Sequence, residues 1–393
     1  MIFIKANDSL KIYKRHLVFI FAICLFILSE YCPIFQTIDH MHLKHIVVVG
    51  IIFFFFLKNH RILFSNELKL CLCTVAILYG ITLFDQMLAG RFEMYSISEV
   101  YYLIIPIIFV EIIYDSNKEV DMDDIMSSIL YCSLFSFLVS CVVNGTLSWN
   151  NFIKMFDLTQ LFVESESPMI ESGLSSFFVI LYIYFLYREK RGRAFLSAFG
   201  AFLGFKRLAV LYMLLLTVFH KFIPKNKGVQ KYIVVIAITI FIFLPFLAKL
   251  MCSDEFANWF YLQFGVNFNK FTMTRFEIIN LVIDADLPKL GLGTTTHFLE
   301  LRGLDGQLNM HNDILRIYLE CGIIGSIALS INYFKMAADQ WYSFLTMLFI
   351  MLQMFVTHCL GSGTISTWIL AYMVIFYTNR ADGISKNLPF SCS

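Results

Sequence analysis

Length, composition and charge together exclude an ordinary soluble domain. Of 393 residues, 59% are hydrophobic and only 15% charged, with a formal net charge of +1, whereas soluble domains carry roughly a quarter charged residues. The mean hydropathy is +0.72, so most of the surface must face lipid, and nothing in the charge pattern resembles a nucleic-acid patch.

In chain order, Lys11, Lys14 and Arg15 precede an apolar run at about residues 16–35. This opening resembles a signal peptide, but no small-x-small cleavage site follows, so we read a retained first helix. Further apolar runs lie at about 45–57, 68–84, 96–114, 125–144, 170–187, 194–205, 208–222, 232–248, 312–334, 341–360 and 364–379. Several are shorter than the roughly 20 residues that a span needs. The runs on either side of Lys206 and Arg207 pose a choice, because one continuous helix there would carry two cations to the bilayer centre. Splitting it places both charges at a turn.

Charge parity supports the split. With it, 19 of the 30 basic residues fall in cytoplasmic segments, 10 in outer segments and Arg316 inside a helix. Without it, the Arg188–Arg193 and Lys221–Lys231 clusters face opposite sides and the positive-inside bias collapses. The expected fold is therefore all-α: a polytopic transmembrane helical bundle of about twelve spans, with both termini cytoplasmic. We read residues 1–393 as a single integral membrane domain, with outer loops at 145–169 and 249–311 and three C-terminal spans over 312–379. The second loop should contain short helices. Sequence and hydropathy show no internal repeat between the halves, which weighs against a two-fold symmetric transporter.

The ten cysteines fall mostly within or beside apolar runs and read as buried thiols. Only Cys32 and Cys252 lie near the expected outer face, where one disulfide is compatible with the pattern. No metal-ligand spacing is present, and no metal or other cofactor is expected.

The most unusual stretch runs from His311 to Gly325. Asn312, Arg316 and Glu320 recur every four residues and so share one helix face, which must point inward because lipid-facing charge is costly. Arg316 and Glu320 read either as an internal ion pair or as part of the chemistry. Gly322, Gly325 and Ser326 read as sites of close helix approach. His311 lies at the expected membrane boundary, either as a solvated boundary residue or as a base for a hydroxyl nucleophile.

Thr274-Arg275-Phe276-Glu277 has the form of a capping box opening an amphipathic run through Ile278, Ile279, Val282 and Ile283. Arg275 on that first turn either snorkels to headgroups or holds a phosphate beside the exposed N–H groups. Gly291-Leu292-Gly293 reads as a tight turn, since a lone G-x-G without a buried strand is no nucleotide motif. Lys206 and Arg207 are either snorkelling charges or a further anion contact.

The order of these features, Gly204-Phe205-Lys206-Arg207, Thr274-Arg275, Gly291-Leu292-Gly293 and then His311-Asn312 with Glu320-x-Gly322-x-x-Gly325, resembles the O-antigen polymerase and ligase superfamily, the Wzy-type polymerases and WaaL-type ligases. The resemblance covers roughly the second half of the chain. It departs at Lys206, where many relatives have a small residue, which bears on the charge count of that pocket but not on its sign.

The resemblance implies a GT-C-like membrane glycosyltransferase without metal or nucleotide sugar. Its donor would be an oligosaccharide on undecaprenyl diphosphate, used at the periplasmic face of the bacterial inner membrane. His311 would be the catalytic base; Arg207 and Arg275, with Lys206, would bind the diphosphate; and Asn312, Arg316 and Glu320 would support them. A chain-length regulator protein is the implied protein partner. A lipid-oligosaccharide flippase is the alternative from another functional class.

Overall fold

A computed structural model describes residues 20–21, 23–36, 45–53, 64–116, 121–157, 167–169, 173–220, 227–302, 310–361 and 364–385. Among the described residues there is no strand. The main helices are α1 (Asn66–Leu88), α2 (Tyr95–Ser116), α3 (Met122–Val143), α4 (Leu174–Tyr187), α5 (Arg191–Leu203), α6 (Arg207–Phe219) and α7 (Lys227–Met251). They are followed by α8 (Asp254–Phe264), α9 (Phe268–Phe271), α10 (Arg275–Asp284), α11 (Thr294–Leu301), α12 (Asp313–Met336), α13 (Trp341–Val356) and α14 (Ile365–Ser385).

Among the described residues, five segments are long and apolar enough to cross a bilayer: α1, residues Tyr95–Ile113 of α2, α3, α7 and α12. Helices α4, α6 and α13 are apolar but shorter. Large side chains such as Phe84, Phe135, Leu138, Phe243 and Leu247 stand exposed on these helices, an arrangement suited to lipid rather than water. Several hydroxyls inside the helices are satisfied locally, with Thr74, Thr82, Ser197, Thr217 and Thr378 donating to carbonyls one turn back, as suits an apolar solvent. The apolar runs at 16–35 and 45–57 lie partly outside the described residues.

The chain divides into two units: residues 1–63, 108–161 and 166–218 form one, and 64–107, 162–165 and 219–393 the other. In unit one, α4 is buried along nearly its whole length, and α5 packs closely on it. A β-carbon at Gly200 would lie 2.8 Å from the Phe178 ring, and one at Gly204 would lie 2.5 Å from the Ser175 hydroxyl. The Asp123 carboxylate joins the start of α3 to the end of α4, accepting from the Tyr184 hydroxyl at 2.6 Å and from Arg188 at 2.9 and 3.1 Å. The break expected at Lys206 is present: α5 ends at Leu203, and Arg207 is the first residue of α6. Each of these helices has 13 residues, or about 20 Å of rise.

In unit two, α12 packs against α1 and α7, and α13 against α14. The side-chain bonds sort the helix ends into two groups. Asn379 of α14 donates to Glu67 at the start of α1 and to the Met336 carbonyl at the end of α12, while Ser343 at the start of α13 donates to Asn379. Gln230 at the start of α7 reaches the Ala338 carbonyl. At the other end lie the close of α1 and the starts of α2 and α12. Neighbouring helices thus run in alternating directions.

Short helices are expected in the second long loop, and residues 254–301 carry four. Ile279 and Val282 of α10 are buried with Ala248, Leu299, Met310 and Leu315. One expectation fails in α12. Gly322 has φ +67° and no neighbour where a β-carbon would stand, so it breaks the helix instead of permitting close approach. Gly325 does permit it, since its β-carbon would stand 3.0 Å from Leu78 of α1.

Candidate functional site

The polar face of α12 is buried: Asn312, Asp313, Arg316 and Glu320 are each no more than 4% exposed. Asn312 is the N-cap of α12, its side-chain oxygen accepting from the Leu315 N–H at 2.9 Å, which satisfies a donor that the helix cannot satisfy itself.

Arg316 is held by acids other than Glu320, the partner that one of its two readings offered. Its guanidinium lies 3.0 Å from Glu99 of α2 and 3.0 Å from Asp313 one turn back. It also donates to the Thr296 hydroxyl at 3.1 Å and, through a longer contact, to the Leu360 carbonyl. The Arg316–Glu320 pair anticipated from spacing gives way because Glu320 is engaged elsewhere. Its carboxylate accepts from the Gly293 N–H at 3.1 Å, the Thr295 N–H at 3.0 Å and the Thr295 hydroxyl at 2.6 Å. Glu320 therefore caps α11, whose exposed N–H groups favour an anion.

The Gly291-Leu292-Gly293 turn brings α11 to that carboxylate. Gly291 and Gly293 have φ of +80° and +84°, and β-carbons there would collide with Thr82 and lie 2.8 Å from the Tyr95 ring. Only glycine fits both the backbone and the space. Leu292 donates to the Thr82 hydroxyl, and Gln86 donates to the Leu290 carbonyl, fastening the turn to the end of α1.

Asp313 serves two elements at once. Besides Arg316, its Oδ1 lies 3.0 Å from Nδ1 of His358, and its Oδ2 accepts the backbone N–H groups of Cys359 and Leu360. The segment following α13 is held further by Trp368, whose indole N–H donates to the Cys359 carbonyl at 2.8 Å.

Arg275 is the first residue of α10, and its guanidinium donates to the Val356 carbonyl at 2.7 Å. This places Arg275 beside the stretch carrying His358. The expected capping box does not form. Met273 and Thr274 both have positive φ, and the Thr274 hydroxyl donates to the Met273 carbonyl while Glu277 accepts from Asn269. Side-chain capping needs an extended N-cap backbone, and the left-handed turn withholds it.

His311 is half-buried between buried Met310 and the Asn312 cap. Unit two thus brings His311, Asn312, Arg316, Glu320 and Arg275 to one end of its helices. Lys206 and Arg207 belong to unit one, where they are half-buried at the turn from α5 to α6.

Sequence spacing missed Glu99, Asp313 and His358. Each carries the same available signal, an ionisable residue within or at the edge of an apolar run. Cys32 and Cys252 are free thiols. Comparison with protein-family models, with curated proteins and with solved structures finds no match to the chain.

Proposed function

We propose that this chain is a polysaccharide repeat-unit polymerase. It transfers an undecaprenyl-diphosphate-linked glycan onto a sugar hydroxyl of another lipid-linked repeat unit, at the periplasmic face of the bacterial inner membrane. The full chain is read as about twelve spans in a GT-C-like arrangement, with both termini cytoplasmic.

The observation that carries the proposal is the gathering of ionisable residues at one end of unit two. Glu99, Arg316, Asp313 and His358 are linked there by ion pairs and a hydrogen bond, Glu320 caps α11 nearby, and His311 and Arg275 lie alongside. Lipid diphosphate is already an activated leaving group, so cationic charge and one base suffice without a nucleotide or a metal. The family resemblance gives the base role to His311 and the diphosphate to Arg207, Arg275 and Lys206.

An O-antigen ligase, which uses the same donor but a lipid A core as acceptor, is the near neighbour of this reading. A flippase is the second reading, favoured by the interruption of α12 at Gly322 beside buried charge, since broken helices and intramembrane ionisable groups mark transport pathways. Deleting the chain from cells separates enzyme from flippase. The polymerase reading expects single repeat units to be exported and left unextended, and arrest of export itself would sink it.

A further inference from the structure

His358 is held by the first turn of α12. It stands two residues beyond the end of α13, and its side chain keeps 13% of its surface accessible while the Asp313 beneath it is fully buried. The two oxygens of Asp313 fix both the ring, through Nδ1, and the following backbone, through Cys359 and Leu360. A carboxylate at Nδ1 favours the tautomer that carries its proton there, which leaves the lone pair on Nε2. Gly361 lies close to that nitrogen, because a β-carbon at 361 would collide with Nε2.

Arg275 reaches the same stretch through the Val356 carbonyl. An oriented base and a guanidinium are thereby held within a few residues of each other at the end of α13. Arg316 and Glu99 back Asp313 on its buried side, so the carboxylate is fixed from both directions.

Resting on the polymerase reading, but moving the base role away from His311, we infer that His358 is the proton acceptor of the transfer step, with Asp313 as its positioning residue. The acceptor hydroxyl gives its proton to Nε2 of His358 as the oxygen's electron pair forms the bond to the anomeric carbon. The bond from that carbon to the diphosphate breaks, its electron pair leaving with the diphosphate oxygen, beside Arg275. The imidazolium then returns the proton to the departing diphosphate or to water, which regenerates the base.

The test uses the full chain reconstituted in lipid nanodiscs, with undecaprenyl-diphosphate-linked repeat units extracted from cells that lack the protein. His358→Gly should lower kcat by about 10²–10⁴-fold, the usual worth of a general base, and added imidazole should restore part of it. His358→Gln, which can still hydrogen-bond to Asp313 but cannot take up the proton, should bind donor normally and remain inactive. Activity in His358→Gln, or a His358→Gly loss that imidazole does not relieve, overturns the assignment. Failure of the wild-type protein to extend the units at all instead overturns the polymerase reading on which it rests.

Discussion

Arg316 of α12 and Glu99 of α2 form an ion pair at 3.0 Å with both side chains nearly excluded from solvent. Asp313 completes the arrangement from the other side at 3.0 Å. Removing one partner of a buried pair strands the others in a medium that cannot solvate them. Arg316→Met should therefore destabilise the protein by about 3–5 kcal/mol. Adding Glu99→Gln should recover part of that loss, because an uncompensated acid is removed. Thermal or denaturant unfolding in detergent measures both, and additive losses in the double variant would contradict the pairing.

The turn that delivers α11 to Glu320 makes a second prediction. At Gly293 an alanine meets both a left-handed backbone and the Tyr95 ring 2.8 Å away. Gly293→Ala should cost at least about 1–3 kcal/mol from backbone strain alone. Gly90 also has positive φ but has open space around it, so Gly90→Ala should cost less in the same unfolding assay. Equal losses would remove the steric part of the argument.

Arg275 carries a prediction about charge and shape. Its guanidinium holds the Val356 carbonyl, and a diphosphate would need further donors in a planar fork that an ammonium lacks. Arg275→Lys should reduce turnover by more than preservation of charge suggests, by about tenfold or more. Kinetics on the lipid-linked donor decide this, and wild-type turnover in that variant removes Arg275 from the diphosphate site.

Cys252 lies just beyond α7, and burial, reinforced by the nearby Asp284 charge, pushes its thiol up to about 12. Both causes disfavour the thiolate, which is the reactive species. Below that value the group stays protonated, so maleimide labelling of the folded protein should be slow at neutral pH, accelerate as the pH rises, and become rapid on unfolding. Fast labelling of folded protein at neutral pH, read by mass spectrometry, would contradict the half-buried setting.

The helices and their alternating directions are legible in the sequence because long apolar runs admit few other structures, and because Lys206 and Arg207 make a continuous helix costly. The partners of the polar groups are less legible. The spacing of Asn312, Arg316 and Glu320 reveals a shared face, but whether Arg316 meets Glu320 or Glu99 depends on how α2 and α11 are placed against α12. Thr274 and Glu277 have capping spacing, yet the preceding turn puts Thr274 in a left-handed conformation that a four-residue pattern does not encode. Gly322 and Gly325 look alike in sequence, and only packing separates the helix break from the close approach. His358 is a lone histidine until Asp313 is folded beneath it.

The most direct measurement of the central claim is chain growth by the purified protein in nanodiscs, supplied only with undecaprenyl-diphosphate-linked repeat units. The polymerase reading predicts a ladder of lengthening lipid-linked glycans with release of undecaprenyl diphosphate. Growth that requires an added lipid A acceptor, or transbilayer movement of the units with no new glycosidic bond, would contradict it.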